Sequence, residues 1–286
     1  MTATTSPTIL VASKTVGRLG YGLMGLSAWG LRINPVPFPQ EDAFAAMKAF
    51  FDKYPQYISK IVPIVKGGVD VKSQSPAKGD DIEFFRNEIE QVKAILGDKE
   101  LDVYSLARLG HTAVETIFTN MAQLIKEGAV KAIGVSEMSS ASLEKAHKIC
   151  PIAINEIGVS LSHTNPRFAT LSPVPEDIPA GDFRTMLPRF QGQAFCDNQK
   201  LVDQVEEIAK KKGVTAGQLS LAWILAQSEF AIPIPGSSKV DRVRENSSAI
   251  DVKLNNEELE ALNKLASAFE VQDARYPEMF QKDLMK

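Results

Sequence analysis

The sequence predicts an α/β fold in which βα units surround a parallel sheet. Short apolar runs alternate with amphipathic segments along the chain, which is the pattern that parallel strands joined by helices produce. The chain has 286 residues, and a single (β/α)8 barrel of about 250 residues fits that length. No linker, repeat or low-complexity segment interrupts the pattern, so we expect one domain over residues 1–286.

The composition and charge limit the kinds of partner that we expect. Hydrophobic residues make up 44% of the chain and charged residues 23%, which is ordinary for a globular protein. The formal net charge of −3 leaves no broad basic surface, so we expect neither nucleic acid nor an anionic membrane as a partner. No apolar run reaches the ~20 residues of a membrane helix, and the first residues do not resemble a secretory signal.

Cysteine and histidine usage predicts a reducing compartment and no metal site. Cys150 and Cys196 are too few for a disulfide framework, so we expect a cytosolic protein. The three histidines are His111, His147 and His163, and none pairs with a cysteine or a carboxylate at the spacing of metal ligands.

Apolar periodicity and turn residues predict the elements of the first half of the chain. Ile82, Phe85 and Ile89 recur at helical spacing after an acidic start. One compact apolar run ends at Lys66, which indicates a buried strand with a lysine at its carboxyl end. The predicted elements are short strands within residues 8–26, a helix from Pro39, a strand at Ile61–Val65, a helix from Asp80 to Gly97 and a strand at Leu101–Leu106.

Cap residues and further apolar runs predict the second half. Three pairs have the spacing of a capping box that opens a helix, namely Thr112 with Glu115, Thr215 with Gln218 and Asn255 with Glu258. Strands are predicted at Val130–Val135, Ile152–Leu161 and Ala231–Ile234, and a short helix around Leu143. The helical pattern weakens between Ser162 and Asn198, where Phe168–Val174 is a candidate strand.

The strongest local signal is the segment IPIPGSSKVDRVREN, residues 232–246. A buried strand ends, a Gly/Ser turn follows and a helix begins, so backbone N–H groups at the start of the helix can bind a phosphate. Ser237 and Ser238 add hydroxyl donors, while Lys239 and Arg242 add positive charge. A capped surface helix with ordinary basic side chains would have the same spacing, so the pattern alone leaves both interpretations open.

Several segments resemble the aldo-keto reductase superfamily. TVGRLGYGLMGL resembles its first strand, PIVKGG resembles the strand that ends in the catalytic lysine, and IKEGAVKAIGVSE resembles its fifth strand. The resemblance implies a (β/α)8 TIM barrel of the aldo-keto reductase type, NADP(H) as the cofactor and a small-molecule carbonyl compound as the substrate. More narrowly, Ala107-Arg108 and EDIPAGDFR at residues 176–184 resemble the fungal pyridoxal reductase branch.

The resemblance also implies a site for the adenosine half of NADPH in the segment 232–246. Its residues would be Gly236, Ser237, Ser238, Lys239, Arg242, Glu245 and Asn246. By resemblance, Ser237 and Lys239 would meet the 2′-phosphate, and Arg242 would pair with it and stack on the adenine. Glu245 and Asn246 would bind the edge of the adenine. The chain departs from the family at Gly236, where a lysine or arginine is frequent.

The catalytic residues implied by the resemblance are Lys66 and Arg108. Lys66 matches the lysine that tunes a proton-donating tyrosine in the family. Arg108 stands where most members have a histidine, and it would polarise the carbonyl or orient the substrate. Ser136 and Glu137 match positions that face the nicotinamide carboxamide, and Glu156 stands where a glutamine usually binds it.

Two stretches of the family pattern are missing from the chain. The second strand, with its aspartate and tyrosine, is absent because AFAAMKAF runs straight into FDKYPQY as one fused helix. The sixth-helix region is absent because the residues between Leu161 and Phe168 cannot hold a helix at ~1.5 Å per residue. We therefore expect an incomplete or irregular barrel with exposed edges. Real divergence, an altered coding sequence, or completion by a second chain in a homodimer would each explain these gaps.

Two functions follow as hypotheses. The first is an NADPH-dependent oxidoreductase that reduces an aldehyde, either pyridoxal-like or another aromatic aldehyde, to an alcohol. The alternative is a catalytically altered or non-redox barrel that binds a nucleotide or small molecule without hydride transfer. The missing tyrosine segment favours the alternative, and the lysine and the 232–246 segment favour the first.

Overall fold

The computed structural model describes residues 8–26, 39–53, 55, 60–70, 75–76, 79–159 and 183–274. The chain divides into two compact units. The sheet unit comprises Leu10–Val16, Lys60–Ile157 and Glu278–Lys286, and the helical unit comprises Met1–Ile9, Gly17–Ser59 and Gly158–Pro277. The single domain over residues 1–286 stays a prediction.

The strands of the parallel sheet alternate with helices along the chain, as the sequence predicts, whereas four α-helices follow the last of the described strands. They are β1 Thr8–Val11, β2 Lys14–Gly17, β3 Ile64–Gly67, β4 Val69–Asp70, β5 Ser75–Pro76, β6 Val103–Leu106, β7 Ala132–Ser136 and β8 Ile152–Glu156. The helices are α1 Gln40–Lys53, α2 Ile82–Leu96, α3 Val114–Lys126, α4 Ser140–Ile149, α5 Gly192–Lys212, α6 Ala216–Gln227, α7 Val240–Ser248 and α8 Asn256–Ala268.

Four strands form the parallel sheet of the sheet unit, in the order β3-β6-β7-β8. Strands β1 and β2 form one two-stranded sheet, and β4 and β5 form another. Among the described residues, β3 and β8 each pair with one neighbouring strand of the parallel sheet. The expectation of exposed strand edges agrees with this arrangement.

One face of the parallel sheet packs against helices and forms the core of the sheet unit. Side chains alternate between the two faces of a strand, and the helix-facing positions include Tyr104, Leu106, Ile133 and Val135. They pack against the apolar stripes of α2 and α3. The buried side chains of those stripes are Phe85, Ile89, Ile117, Phe118, Met121 and Leu124. Lys66 and Ser105, which pair in register, lie on the opposite face.

The amino end of the sheet holds a buried carboxylate between two lysines. The Asp102 side chain is fully buried, and its Oδ2 lies 2.7 Å from Lys14 Nζ. Its Oδ1 lies 3.4 Å from Lys131 Nζ. Lys14 comes from the hairpin of β1 and β2, whose turn residues Ala12 and Ser13 have φ angles of 46° and 66°. This ion pair holds the hairpin against the start of β6.

The helical unit has a separate core around the helix α6. This helix is apolar on all sides, and Leu219, Leu221 and Trp223 on it are buried. Buried residues of α5 and α8 pack against it. Arg18 is also buried, and its guanidinium donates to the carbonyl oxygens of Leu225 and Ala231 at 2.9 and 3.1 Å. Those carbonyls satisfy the arginine without an acid.

Two of the three predicted capping boxes are confirmed and one is wrong. Thr215 with Gln218 opens α6, and Asn255 with Glu258 opens α8, each with both reciprocal hydrogen bonds. The helix α3 instead begins after Ala113, which makes no side-chain cap. The hydroxyl of Thr112 accepts a hydrogen bond from Gly79 N at 3.0 Å, so a distant loop uses the group that a cap would need.

The ends of several predicted elements also differ. The strand predicted at Ile61–Val65 begins at Ile64, and the strand predicted at Ile152–Leu161 ends at Glu156. No strand forms at Ala231–Ile234, because prolines at 233 and 235 lack the N–H groups that a ladder requires. A helix was not expected before Asn198, yet α5 begins at Gly192. The candidate strand Phe168–Val174 lies outside the described residues.

None of the described helices is both long enough and apolar enough to cross a membrane. Within the same residues, no three His, Cys, Asp or Glu side chains cluster as metal ligands would.

Candidate active site and cofactor loop

Lys66 lies at the carboxyl end of β3 and is held by two partners. Its Nζ lies 2.7 Å from Glu156 Oε2 and donates a hydrogen bond to Ser136 Oγ at 3.2 Å. The Lys66 side chain is 41% exposed and the Glu156 side chain 22%. The ammonium is therefore fixed in position but still accessible to a ligand.

The order of the strands explains why these residues meet. Ser136 is the last residue of β7, and Glu156 is the last residue of β8, its neighbour in the sheet. The carboxyl ends of parallel strands lie at one edge of the sheet. Lys66 pairs in register with Ser105 of β6, and the long lysine side chain spans β6 to reach Ser136.

Arg108 follows β6 and reaches the same hydroxyl as Lys66. Its Nη1 donates to Ser136 Oγ at 3.5 Å and to the carbonyl oxygen of Ala107 at 2.5 Å. No carboxylate of the described residues lies within ion-pair distance of this guanidinium. Ser136 Oγ thus accepts from two cations, which leaves its own proton as a donor.

Glu88 supports the end of β3 from the helix side, and sequence reasoning missed it. Its Oε2 accepts a hydrogen bond from Gly68 N at 2.8 Å and another from the hydroxyl of Tyr104. Burial raises the pKa of Tyr104, with the Glu88 charge as a second cause, so the phenol remains a donor. The sequence contains a pattern that could have identified Glu88, because it lies three residues after Phe85, on the stripe of α2 that faces the core. An acidic residue at such a position indicates a polar contact inside the protein.

Glu137 adopts a conformation that non-glycine residues rarely take. Its φ is 54°, in the left-handed region. Its N–H donates to the carbonyl oxygen of Glu156 at 2.9 Å, which extends the pairing of β7 and β8 by one bond. The Glu137 residue is 9% exposed. The backbone turns sharply at the edge of the sheet that carries Ser136.

The start of α7 has open hydrogen-bond donors. Lys239 N donates to Ser237 Oγ at 3.1 Å. The N–H groups of residues 240–242 make no hydrogen bond within the described part of the chain, as is usual in the first turn of a helix. The hydroxyl of Tyr21 donates to the carbonyl oxygen of Ser237 at 2.5 Å, and burial raises the pKa of this tyrosine. The turn is therefore held by the hydrogen bond from Tyr21, while the N–H groups at the start of α7 can still bind a ligand.

The side chains near this turn differ in what they bind. Arg242 makes no ion pair with any described residue, and Lys239 is exposed. Asn246 lines a crevice beside Tyr21. The carboxylate of Glu245 accepts a hydrogen bond from the hydroxyl of Thr215 at 2.5 Å. The cofactor roles of these residues stay predictions.

A close approach of two backbones explains the glycine at position 236. Gly22 and Gly236 form an isolated parallel bridge, and Gly22 N donates to the carbonyl oxygen of Pro235 at 3.1 Å. A Cβ atom at Gly236 would lie 2.9 Å from the carbonyl oxygen of Gly22. The basic residue that the family often has at this position would force the two segments apart.

The structure thus brings together one predicted set of residues in each unit. Lys66, Arg108, Ser136 and Glu156 converge in the sheet unit, with Glu137 next in the chain. The segment from Gly236 to Asn246 forms a turn and helix in the helical unit. The first set is two cations beside a carboxylate, and the second is a helix start with open N–H groups.

The sequence matches the family described as "Aldo/keto reductase family" over residues 54–179 and 174–267. "Aldo-keto reductase str7" of Strobilurus tenacellus is 33% identical over 227 residues, which cover 70% of this chain and 68% of that protein. "Aldo-keto reductase yakc [NADP(+)]" of Schizosaccharomyces pombe is 32% identical over 64% of this chain, and the match spans 62% of that relative's length. "Probable pyridoxal reductase 2" of the same yeast is 26% identical over 94% of this chain and 97% of its own.

Solved structures share the fold. The glycerol dehydrogenase of Gluconobacter oxydans superposes with a TM-score of 0.75 at 16% identity, over 95% of this chain and 97% of that one. An aldo-keto reductase of Klebsiella pneumoniae, solved with NADPH, gives a TM-score of 0.63 at 18% identity, over 95% and 99% of the two chains. The predicted fold class, a barrel of the aldo-keto reductase type with irregularities, is confirmed. By sequence and by fold, this chain belongs to the aldo/keto reductase family.

Proposed function

We propose that the protein is an NADPH-dependent oxidoreductase that reduces an aldehyde, either pyridoxal-like or another aromatic aldehyde, to an alcohol. The observation that carries the proposal is Lys66, fixed by Glu156 at 2.7 Å and by Ser136 at 3.2 Å at the carboxyl end of a parallel strand. The names of its relatives support the same class, since one is named for NADP(+) and another for pyridoxal. The cytosolic location stays a prediction.

The residues of the cofactor loop fit the adenosine 2′-phosphate of NADPH. The open N–H groups at the start of α7 carry partial positive charge. Arg242 has no acidic partner among the described residues, so its planar guanidinium remains available for two parallel bonds to a phosphate. NADH lacks that phosphate, so Arg242 would contribute to NADH binding only through its stacking on the adenine.

The residues around Lys66 fit the developing alkoxide of a carbonyl reduction. The bound cofactor supplies the hydride. The ammonium of Lys66 would donate a hydrogen bond to the carbonyl oxygen and stabilise the negative charge that develops there. It would then pass its proton to the alkoxide to complete the alcohol and regain a proton from solvent, to which its side chain is 41% exposed. Glu156 and Ser136 hold this ammonium in place, so little reorganisation is required when the charge appears.

The first test is a fluorescence titration with NADPH and with NADH. We expect tighter binding of NADPH, and a loss of about ten- to a hundredfold in NADPH affinity for Arg242→Ala with a clearly smaller loss for NADH. Arg244→Ala is the matched control, because Arg244 lies on the same helix and its Nη1 is 3.7 Å from Asp241 Oδ1. Equal affinity for the two cofactors would remove the proposed phosphate site, and no turnover of any aldehyde would remove the proposed reaction.

A catalytically altered barrel without hydride transfer is the second candidate. The sequence feature that favours it is the missing Asp-x-x-x-x-Tyr pattern of the second strand. Tight NADPH binding without oxidation of NADPH by any aldehyde would support this candidate over the first.

A further inference from the structure

We propose that the site around Lys66 selects carbonyl compounds that carry an anionic group, a carboxylate or a phosphate, and that Arg108 binds this group. The inference rests on the proposed function and narrows its substrate class. Its starting point is the difference between the two cations that donate to Ser136 Oγ, Lys66 at 3.2 Å and Arg108 at 3.5 Å.

The charge of Lys66 is already balanced, while the charge of Arg108 is not. Glu156 Oε2 lies 2.7 Å from the ammonium of Lys66. No described carboxylate pairs with Arg108, whose residue is partly buried. The hydrogen bonds of Arg108 to Ala107 O and Ser136 Oγ supply no negative charge, so an anion is the partner that would balance this cation. The excess positive charge of the cluster therefore favours a ligand that brings a negative one.

Other arginines show how this chain satisfies a guanidinium when no ligand is involved. Arg86, on α2 of the same unit, pairs with Glu83 and Glu127. Arg18, in the helical unit, donates through Nη2 to the carbonyl oxygens of Leu225, Ser228 and Ala231. Arg108 donates through Nη1 alone, to Ala107 O and Ser136 Oγ. Its Nε and Nη2 groups remain for an anion, and a guanidinium binds carboxylate or phosphate with two such donors.

Ser136 supplies a third donor at the same place. Because its oxygen accepts from both Lys66 and Arg108, its own proton points to another acceptor. Ser105, one strand from Lys66 on the same face of the sheet, has a buried hydroxyl without a hydrogen-bond partner. These hydroxyls make the face between the two cations polar. A small molecule can place its carbonyl oxygen at Lys66 and its anion at Arg108, since both cations reach one hydroxyl.

The test uses pairs of aldehydes that differ by one anionic group. Benzaldehyde is compared with 4-carboxybenzaldehyde, and 4-hydroxybenzaldehyde with 4-formylphenyl phosphate, with NADPH in excess. We expect kcat/KM to be at least about tenfold higher for the acid than for the neutral aldehyde in one or both pairs. A hydrogen bond between a charged substrate group and Arg108 would give an increase of this size. The pair with the larger ratio identifies carboxylate or phosphate as the preferred anion.

Arg108→Gln tests the assignment to one residue. We expect it to remove the preference, because kcat/KM for the acids should fall about ten- to a hundredfold more than kcat/KM for the matched neutral aldehydes, with the extra loss in KM. Arg108→Lys is expected to retain part of the preference, because it keeps the charge but not the planar fork. Arg86→Gln is the control, since Arg86 is paired on the helix side of the same unit; it is expected to leave the ratio unchanged.

Different results would reject this inference and the proposed function. If the wild-type protein reduces acidic and neutral aldehydes equally well, or if Arg108→Gln lowers both equally, the inference is wrong and Arg108 acts on the carbonyl itself. If no aldehyde is reduced, the proposed reaction fails, and calorimetric titration of the full chain with benzoate and benzamide decides the inference. Benzoate binding that is lost in Arg108→Gln would support it, and equal or absent binding of the two would overturn it.

Discussion

Each end of the parallel sheet holds two cations beside a carboxylate, but the cations are paired differently. At the amino end, the fully buried Asp102 contacts both Lys14 at 2.7 Å and Lys131 at 3.4 Å, and Lys131 also pairs with Glu100. At the carboxyl end, the carboxylate of the partly exposed Glu156 pairs with Lys66, and Arg108 remains without an acid among the described residues.

This difference in pairing indicates that the two ends of the sheet have different roles. In barrels of parallel strands, the carboxyl edge carries the chemistry and the amino edge carries stability. At the amino end every cation has a carboxylate partner, so the cluster has no unpaired cation for a ligand, and it fixes the hairpin of β1 and β2. An open cluster retains charge that a substrate can use. Residue types alone do not distinguish the two ends, whereas burial and the number of contacts do.

The largest expected effect is the difference in kcat/KM between variants of Lys66, at the carboxyl end of the sheet, and Lys14, at the amino end. Lys66→Met should lower kcat/KM for aldehydes by at least about a thousandfold, because it removes the donor at the developing alkoxide. Lys14→Met should leave turnover per folded molecule unchanged and lower the melting temperature, because it removes a partner of the buried Asp102. Steady-state kinetics and thermal unfolding of both variants check the pair. Equal kinetic losses would show that the two ends do not differ in function.

Asp102→Asn should be the most destabilising single change at the amino end. The substitution leaves the cations at the start of β6 without their fully buried counter-charge, at a cost of about 3 kcal/mol in the free energy of unfolding. Urea denaturation measures this loss, and kcat of the folded enzyme should not change. A loss below about 1 kcal/mol would mean that the cluster is no more important than a surface ion pair.

The same chemical change at the carboxyl end should cost much less stability. Glu156→Gln installs the amide that is usual in the family and removes the partner of a 41% exposed lysine. Exposed pairs contribute under about 1 kcal/mol, so we expect an unfolding free energy close to that of the unmodified protein. Turnover should respond instead, because Lys66 loses the carboxylate that fixes it. Denaturation and aldehyde kinetics on one preparation test both halves of this expectation.

The smallest expected effect concerns the hairpin that carries Lys14. Ala12 and Ser13 form its turn with positive φ angles, which Asn-Gly adopts more readily than Ala-Ser. The double substitution Ala12→Asn with Ser13→Gly should raise the free energy of unfolding by about 0.5–1 kcal/mol and leave the kinetics unchanged. A decrease in stability would show that the turn tolerates its present residues because of contacts elsewhere.

Local sequence patterns predicted much of the fold and part of the site. Lys66 could be placed at a strand end because an apolar run stops there, and Thr215 with Gln218 could be recognised because a capping box is local. The pairing of Lys14 with Asp102 joins residues 88 positions apart, and no local pattern encodes it. The same limit explains the failed cap at Thr112, since its partner Gly79 lies 33 residues away.

The unpaired state of Arg108 was likewise invisible in the sequence. The sequence pattern of an arginine after a strand is identical whether the arginine binds an acidic side chain, a carbonyl group or a ligand. Only the positions of the surrounding carboxylates distinguish these cases, and they depend on strands β7 and β8, which follow Arg108 in the chain.

The contact between Gly22 and Gly236 constrains how this protein could change its cofactor preference over evolution. A Cβ atom at either position meets the backbone of the opposite segment at less than 3 Å, 2.8 Å for Gly22 and 2.9 Å for Gly236. A basic side chain at 236 would thus require a simultaneous rearrangement of a segment more than two hundred positions earlier in the chain. For the proposed cofactor site, single substitutions that adjust the discrimination between dinucleotides are expected further along the loop and helix, at positions such as 239 and 242. Lineages that share this glycine pair are expected to vary there.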